Sequence, residues 1–435
     1  MADIKGAALG LLFVLGTACG GTDGVDLDGG SDAATTNDGQ TGGDVVQTSD
    51  AGSDVTEPVD AGPYGQPSTT YPAFTPWMGQ LSKNGGPILT APVIVTITWD
   101  VDTGRSTFEA FGDQIGGSSY WSAAVGEYGV GATTSTHVHL STTPPTQWGD
   151  TDVRTFIGSN LGGILPAPTS QTIYVVYIAQ GTTFVFGNQN ACSSIGGYHD
   201  SFTAGSNGVV AYAVLPNCAS DSKTTQYASH EIGEAATDPQ PSNNLGLYGW
   251  DDPYLAFHEW QRGNDENGDA CEFFADSNYT EQQPFQFSVQ RLWSNKMGPL
   301  GHSPCQPYTA TYFNVAPLGI GDITVDLSQE GGPTNFKTKG FTCALNATCQ
   351  IPVGIYSDGQ TGPITVTAAE SNPLVNPVTG RLSLSIDPKK TSGVNGEITY
   401  VNVTVNNKGP LNAEMLTVIT QSGTTKHYLP LLVAN

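Results

Sequence analysis

The sequence is short of base. Across 435 residues it carries 15 Lys and Arg against 40 Asp and Glu, a formal net charge of −25. Binding nucleic acid depends on neutralising phosphates with cationic side chains, so this balance argues against that class of partner. Charged residues of either sign are scarce, at 13 %. With 54 Gly beside them, strands, turns and long loops are favoured over a helical bundle. The apolar run near the start, Ala7 to Leu15, is too short to span a bilayer as a stable helix. There is no G-x-S-x-G, the elbow of many serine hydrolases. Ser229 does precede His230, but a catalytic triad is set by spatial geometry and not by adjacency.

What is present is enough for a core. Apolar residues make up 38 %, with 16 Phe, 17 Tyr and 7 Trp. The length fits two or three domains. One Lys, the short apolar run and then small residues read as a signal peptide over 1–18. Its end, Leu15-Gly16-Thr17-Ala18-Cys19, resembles a bacterial lipoprotein signal, which implies cleavage before Cys19 and lipidation of its thiol. Plain secretion is the alternative. The expected location is therefore the cell envelope or the outside, with a membrane reached only through a lipid anchor. Residues 19–66 are rich in Gly, Asp, Ser and Thr, with no Lys or Arg. Such a stretch cannot bury enough apolar surface to offset chain entropy and predicts a disordered acidic tether. Its Asp spacing matches no EF-hand loop and no nonapeptide repeat.

Export also accounts for the cysteines. Of 7, setting Cys19 aside leaves Cys192, Cys218, Cys271, Cys305, Cys343 and Cys349. Six in an exported chain argue for disulfides. Their order favours the local pairs 192–218, 271–305 and 343–349, although six cysteines allow 15 pairings.

Residues 67–307 form the expected core. Pro87 to Trp99, Gln171 to Ala179 and Gly208 to Pro216 are β-branched apolar runs, read as buried strands. Ser106 to Val130 holds one or two helices broken at Gly116-Gly117. Strands mixed with helices predict an α+β, zincin-like core on a mixed sheet. From 308 to 435 the texture becomes short alternating segments with turn residues between them, read as an all-β, antiparallel sandwich. It shows no chemical constellation and reads as a binding or spacer module.

The chemistry concentrates in ASHEIGEAATDP, Ala228 to Pro239. Asp221 or Ser222 is placed to cap a helix here, and Asp238-Pro239 to end it. His230 and Glu234 share a face one turn apart, while Glu231 lies about a third of a turn away. In zinc-protease helices the i and i+4 residues bind metal and i+1 reaches the attacking water. Glu234 stands where a second histidine is usual. Carboxylate is an acceptable zinc ligand, but it makes the site harder and admits manganese, iron or calcium. A third ligand is expected from Gly263 to Phe274, GNDENGDACEFF, with Glu266 first and Asp269 as the alternative. His199, in GGYHD, and His258 are possible supporting residues. Tyr198 could stabilise an oxyanion.

Six motifs in order resemble the Exordium-like, or phosphate-induced, family. They are GPILTAPVIVTITW, CSSIGGYHD, YAVLPNC, HEIGEAATDP, ENGDAC and VQRLWSN followed by Cys305. The resemblance covers about 85 to 305. It implies export, the pairs 192–218 and 271–305, and Glu234 as a regular member of its motif. It leaves activity open, since bacterial relatives are read as metalloproteases only on the strength of the helix. The expectation is an exported metal-dependent hydrolase, a peptidase acting on peptide or cell-surface substrates with a divalent metal, zinc first. Glu231 would be its general base. The alternative is a non-catalytic cell-surface binding protein with a structural metal or none. Oligomeric state is not legible.

Overall fold

The computed structural model describes residues 64–187, 189–191, 195–217, 220–261, 265–374, 378–407 and 411–435. The signal peptide, the acidic stretch up to residue 63, Cys19, Cys192 and Cys218 lie outside the described residues.

The first unit is a five-stranded sheet with helices on both faces. In chain order its elements are β1 (Val93–Trp99), α1 (Arg105–Ile115), α2 (Ser119–Val125), β2 (Thr134–Leu140), α3 (Asp150–Asn160), β3 (Thr172–Ile178), β4 (Tyr198–Thr203), β5 (Val209–Pro216) and α4 (Asp221–Thr237). The strand order is β2-β1-β3-β5-β4. The first four strands are parallel, and β4 pairs antiparallel with β5 as an edge strand. The sheet is therefore mixed, as the sequence predicts. Because side chains alternate, each central strand feeds two cores. Ile94, Ile173, Val175, Tyr177, Ala213 and Leu215 meet α1, α2 and α4 on one face. Val95, Ile97, Tyr174, Val176, Tyr212 and Val214 meet α3 on the other. Burial on both faces explains why these strands read as unbroken apolar runs. The helices of 106–130 do break at Gly116-Gly117.

The second unit is built from two sheets. One runs Phe313–Pro317, Thr348–Ser357, Ile398–Val405, Leu382–Ile386 in spatial order. The other runs Gly321–Val325, Phe336–Thr342, Thr425–Ala434, Ala413–Ser422, Ile364–Glu370, Ser392–Gly393. Val353, Ile355, Val401 and Val403 from the first share one core with Val366, Val418, Leu429 and Leu431 from the second. The sandwich is not purely antiparallel, because Phe341 and Thr342 pair parallel with Val433 and Ala434. Cys343–Cys349 is bonded and closes the turn between two of the strands. Cys271–Cys305 is bonded as well.

The two units meet through α5 (Leu255–Gln261). Leu255 and Ala256 pack among Ile323, Val325 and Leu432 of the sandwich. Trp260 and Phe274 lie against Tyr428. Residues 64–66, expected in the tether, and 67–74, expected in the core, bind the sandwich instead. Tyr64 Oη donates to Asp387 at 2.5 Å and Ile398 N donates to the Tyr64 carbonyl at 2.6 Å. Buried Asn395 donates to the carbonyls of Ser68 and Thr70 and accepts from Ala73 N. Among the described residues no helix is long and apolar enough to cross a membrane.

Candidate metal centre

α4 is buried along most of its length, from Ala228 to Thr237. Ala228, Ile232, Ala235 and Ala236 face the sheet core. The remaining face carries His230, Glu231 and Glu234, buried though polar. Burying such groups is costly unless they are satisfied, so the partners of this face decide what it is for. The helix begins one residue earlier than the sequence implies: Ser220, not Asp221 or Ser222, is the N-cap, and its hydroxyl accepts from Lys223 N. It ends at Asp238 as expected.

Two elements close over that face. The edge strand β4 supplies His199. The segment ending in α6 (Asp269–Glu272) supplies Glu266 and Asp269. His199 Nδ1 lies 3.4 Å from Glu234 Oε2 and 3.5 Å from Glu231 Oε2. His199 Nε2 lies 3.3 Å from Glu266 Oε1 and 3.2 Å from the Asp238 carbonyl. His230 Nε2 lies 3.1 Å from Glu234 Oε1 and 3.5 Å from Asp269 Oδ1. The fold thus brings together His230, Glu231, Glu234, Glu266 and Asp269. It adds His199, foreseen only as a supporting residue, at the centre. Two groups can each place three donor atoms within 4.8 Å of one another: His199, Glu234 and Glu266, and His230, Glu231 and Glu234. Glu234 belongs to both.

Glu234 is also the best-oriented side chain. Its Oε1 accepts from the backbone N–H of Gly268 and of Asp269, each at 3.1 Å. That approach needs a glycine, since a Cβ on Gly268 would sit 2.7 Å from Glu234 Oε1. Gly197 is similar, with a Cβ meeting Glu231 Cγ at 2.9 Å. Gln290 and Trp293, from VQRLWSN, staple the ligand segment. Gln290 Nε2 donates to the Gly268 carbonyl at 2.8 Å and Trp293 N to the Asn267 carbonyl at 2.6 Å. Gln290 N donates to Ser229 Oγ, tying that staple to α4. These supporting residues were not singled out as functional. Their signal was an unexplained Gly or Gln inside a motif.

The electrostatics show a surplus of negative charge. Burial would lower the basicity of both imidazoles, but Glu266, Glu231 and Glu234 around His199, and Glu234 and Glu231 around His230, raise both well above the usual range. Burial would raise Glu234; His230 and His199 reverse this and hold it low. Glu266 is pushed up to about 7 by burial, with Glu234 adding to the effect. Asp269 is raised well above the carboxylate range by burial and Glu234. Burial lifts Asp238 to about 6 against the hydrogen bond from Gly246 N. The cluster therefore balances its charge by holding protons. Glu266 Oε1 approaches His199 but lacks hydrogen-bond alignment, and it stays buried without a hydrogen-bond partner. Buried donors arranged in this way fit a cation.

Other expected residues go elsewhere. Alternation along β4 sends Tyr198 and Asp200 to the face opposite His199. Tyr198 Oη donates to Asp150, so it is not aimed at the cluster as an oxyanion donor, and Asp200 pairs with Arg154 at 2.7 Å. His258 is half exposed and pairs with Asp265 at 2.9 Å, beside the cluster in sequence but not one of its donors.

No protein-family model matches the chain, and no curated protein does. Among solved structures, a complex of the titin M10 and obscurin-like 1 immunoglobulin domains matches 28 % of this chain and 94 % of that one, at 11 % identity and a TM-score of 0.15. A likeness this slight carries no argument about fold or function.

Proposed function

We propose that the protein is an exported metal-dependent hydrolase, most simply a peptidase, on a zincin-like core. One observation carries this reading. Glu234 is shared by two donor groups and held by two backbone N–H groups, amid more carboxylate than the two imidazoles can balance. His230 and Glu234 would hold a divalent cation, zinc first, with Glu266 as third ligand and Asp269, beside His230, as the alternative; His199 would support it through Glu234 and Glu266. When bound, the cation supplies Lewis acidity toward a carbonyl. Glu231 is the general base: it takes a proton from the attacking water and returns it to the leaving amine. A carboxylate-rich set weakens that Lewis acidity, so slow or narrow turnover is expected. The disulfides suit an oxidising compartment outside the cytoplasm, and the Exordium-like resemblance points the same way.

The depth of the cluster supports a second reading. His230, Glu231, Glu234 and His199 are each under a tenth exposed. A site that closed to solvent suits a structural metal in a cell-surface binding module. Elemental analysis of the purified chain, with peptide hydrolysis by the wild type and Glu231→Gln, separates the readings. Hydrolysis expects about one equivalent of metal that Glu234→Ala loses, and turnover lowered by at least about a hundredfold in Glu231→Gln. Metal retained with Glu231→Gln silent selects the structural reading. No stoichiometric metal at α4 sinks both metal readings and leaves a binding module without one.

A further inference from the structure

The sheet carries another donor cluster at its opposite edge. Alternation along β2 turns Ser135, His137 and His139 toward α1, while Val138 packs into the core on the other side. On α1, Glu109 and Asp113 lie one turn apart, with Arg105 a turn before them. The two faces meet closely. His139 Nε2 is 2.7 Å from Glu109 Oε1, and His137 Nδ1 is 3.7 Å from Glu109 Oε2. His137 Nε2 is 3.0 Å from Asp113 Oδ1, which also accepts from Ser135 Oγ. Thr98 Oγ1 on β1 donates to Glu109 Oε1 at 3.3 Å, orienting that carboxylate. Glu109, His137 and His139 can place three donor atoms within 4.8 Å of one another.

Both ring nitrogens of His137 face carboxylate oxygens. A neutral imidazole has a single N–H, so an ion pair serves both only as the doubly protonated imidazolium. Arg105 does not neutralise this edge, since it lies 2.8 Å from Asp100 and only 3.8 Å from Glu109. A cation bound between the imidazoles and Glu109 would take the place of that proton. The site is open to it, with His139 and Asp113 roughly half exposed.

We propose that Glu109, His137 and His139 form a second divalent-metal site, with Asp113 as a further donor. Two imidazoles with carboxylate suit a borderline transition metal such as zinc and disfavour magnesium or calcium. The site shares no residue with the cluster on α4 and bridges the edge strand β2 to α1. It does not depend on the hydrolase reading.

Zinc binding to the purified full-length chain tests it, by equilibrium dialysis with elemental analysis. The variants are His137→Ala/His139→Ala and, separately, Glu234→Ala. The double variant is expected to bind one equivalent fewer than the wild type, whatever the α4 cluster holds. Glu234→Ala is expected to keep the equivalent that the double variant loses. Should the double variant fail to fold by circular dichroism, the single His139→Gln at a half-exposed position decides. It is expected to weaken that equivalent by at least about tenfold, since even loss of an outer-sphere partner costs that much. Unchanged stoichiometry in the double variant, or unchanged affinity in His139→Gln, overturns the proposal.

Discussion

Replacing Gly268 with alanine adds one methyl group at the tightest point of the cluster on α4. The backbone there is right-handed helical, with φ −78 and ψ −48, so alanine meets no conformational penalty. The obstacle is space. The new Cβ would lie 2.7 Å from Glu234 Oε1 and 2.9 Å from His230 Nδ1. Comfortable contact begins near about 3.5 Å, so the two side chains must retreat by roughly 0.6–0.8 Å. A metal site tolerates errors of only about 0.2 Å in its ligand distances. The retreat also lengthens the two N–H bonds that orient Glu234. Disturbing such orienting partners costs about 10–100-fold in affinity, and at least that is expected for zinc. Calorimetric titration of wild type and Gly268→Ala measures it, with circular dichroism and thermal unfolding as controls on the fold. Equal zinc affinity in a folded Gly268→Ala would refute the claim that His230 and Glu234 are ligands in this geometry.

Two other expectations concern stability. His427 is buried between Tyr312 and Phe313, its Nε2 has no hydrogen-bond partner, and burial pulls its pKa down to about 3. It stays neutral in the fold, while the unfolded chain takes up a proton below about 6.5. Its contribution is thus full above that pH and falls by about 1.4 kcal/mol per unit on acidification toward pH 3. In denaturant melts across that range, His427→Phe should lack this part of the acid loss; parallel curves would dispose of the idea. Removing the Cys271–Cys305 bond, which closes a loop of separation 34, should cost about 3–4 kcal/mol on the loop-entropy model. It should also weaken metal binding at α4, because Cys271 follows Asp269 in the ligand segment. A Cys271→Ser/Cys305→Ser variant with wild-type zinc affinity would separate the bond from the site.

The parts of the fold that sequence made visible are those with strong local patterns. β1, β3 and β5 are continuous apolar runs because both their faces are buried, and α4 is bracketed by a cap and Asp-Pro. The C-terminal strand Thr425–Ala434 is less legible, because Pro430 inside it argues against a strand. HEIGE and ENGDAC were legible as ligand sources because their residue types are chemical. The weight of His199 was not, since β4 reaches α4 only through the sheet. His137 and His139 alternate openly in THVHL, but Glu109 and Asp113 look like ordinary helix charges until the fold sets α1 on that strand. Gly197 and Gly268 act by lacking a side chain, and what they leave room for is decided elsewhere in the chain.

The attachment of residues 64–74 bears on how the molecule carries load. A pull arriving from the N-terminal side reaches the Tyr64 bonds to Ile398 and Asp387 first, then the Asn395 bonds to Ser68 and Thr70. All of these end on the sandwich. The sheet that bears His199 is entered only afterwards. Tension applied from that side would therefore load the sandwich before it reached His199, His230 and Glu234.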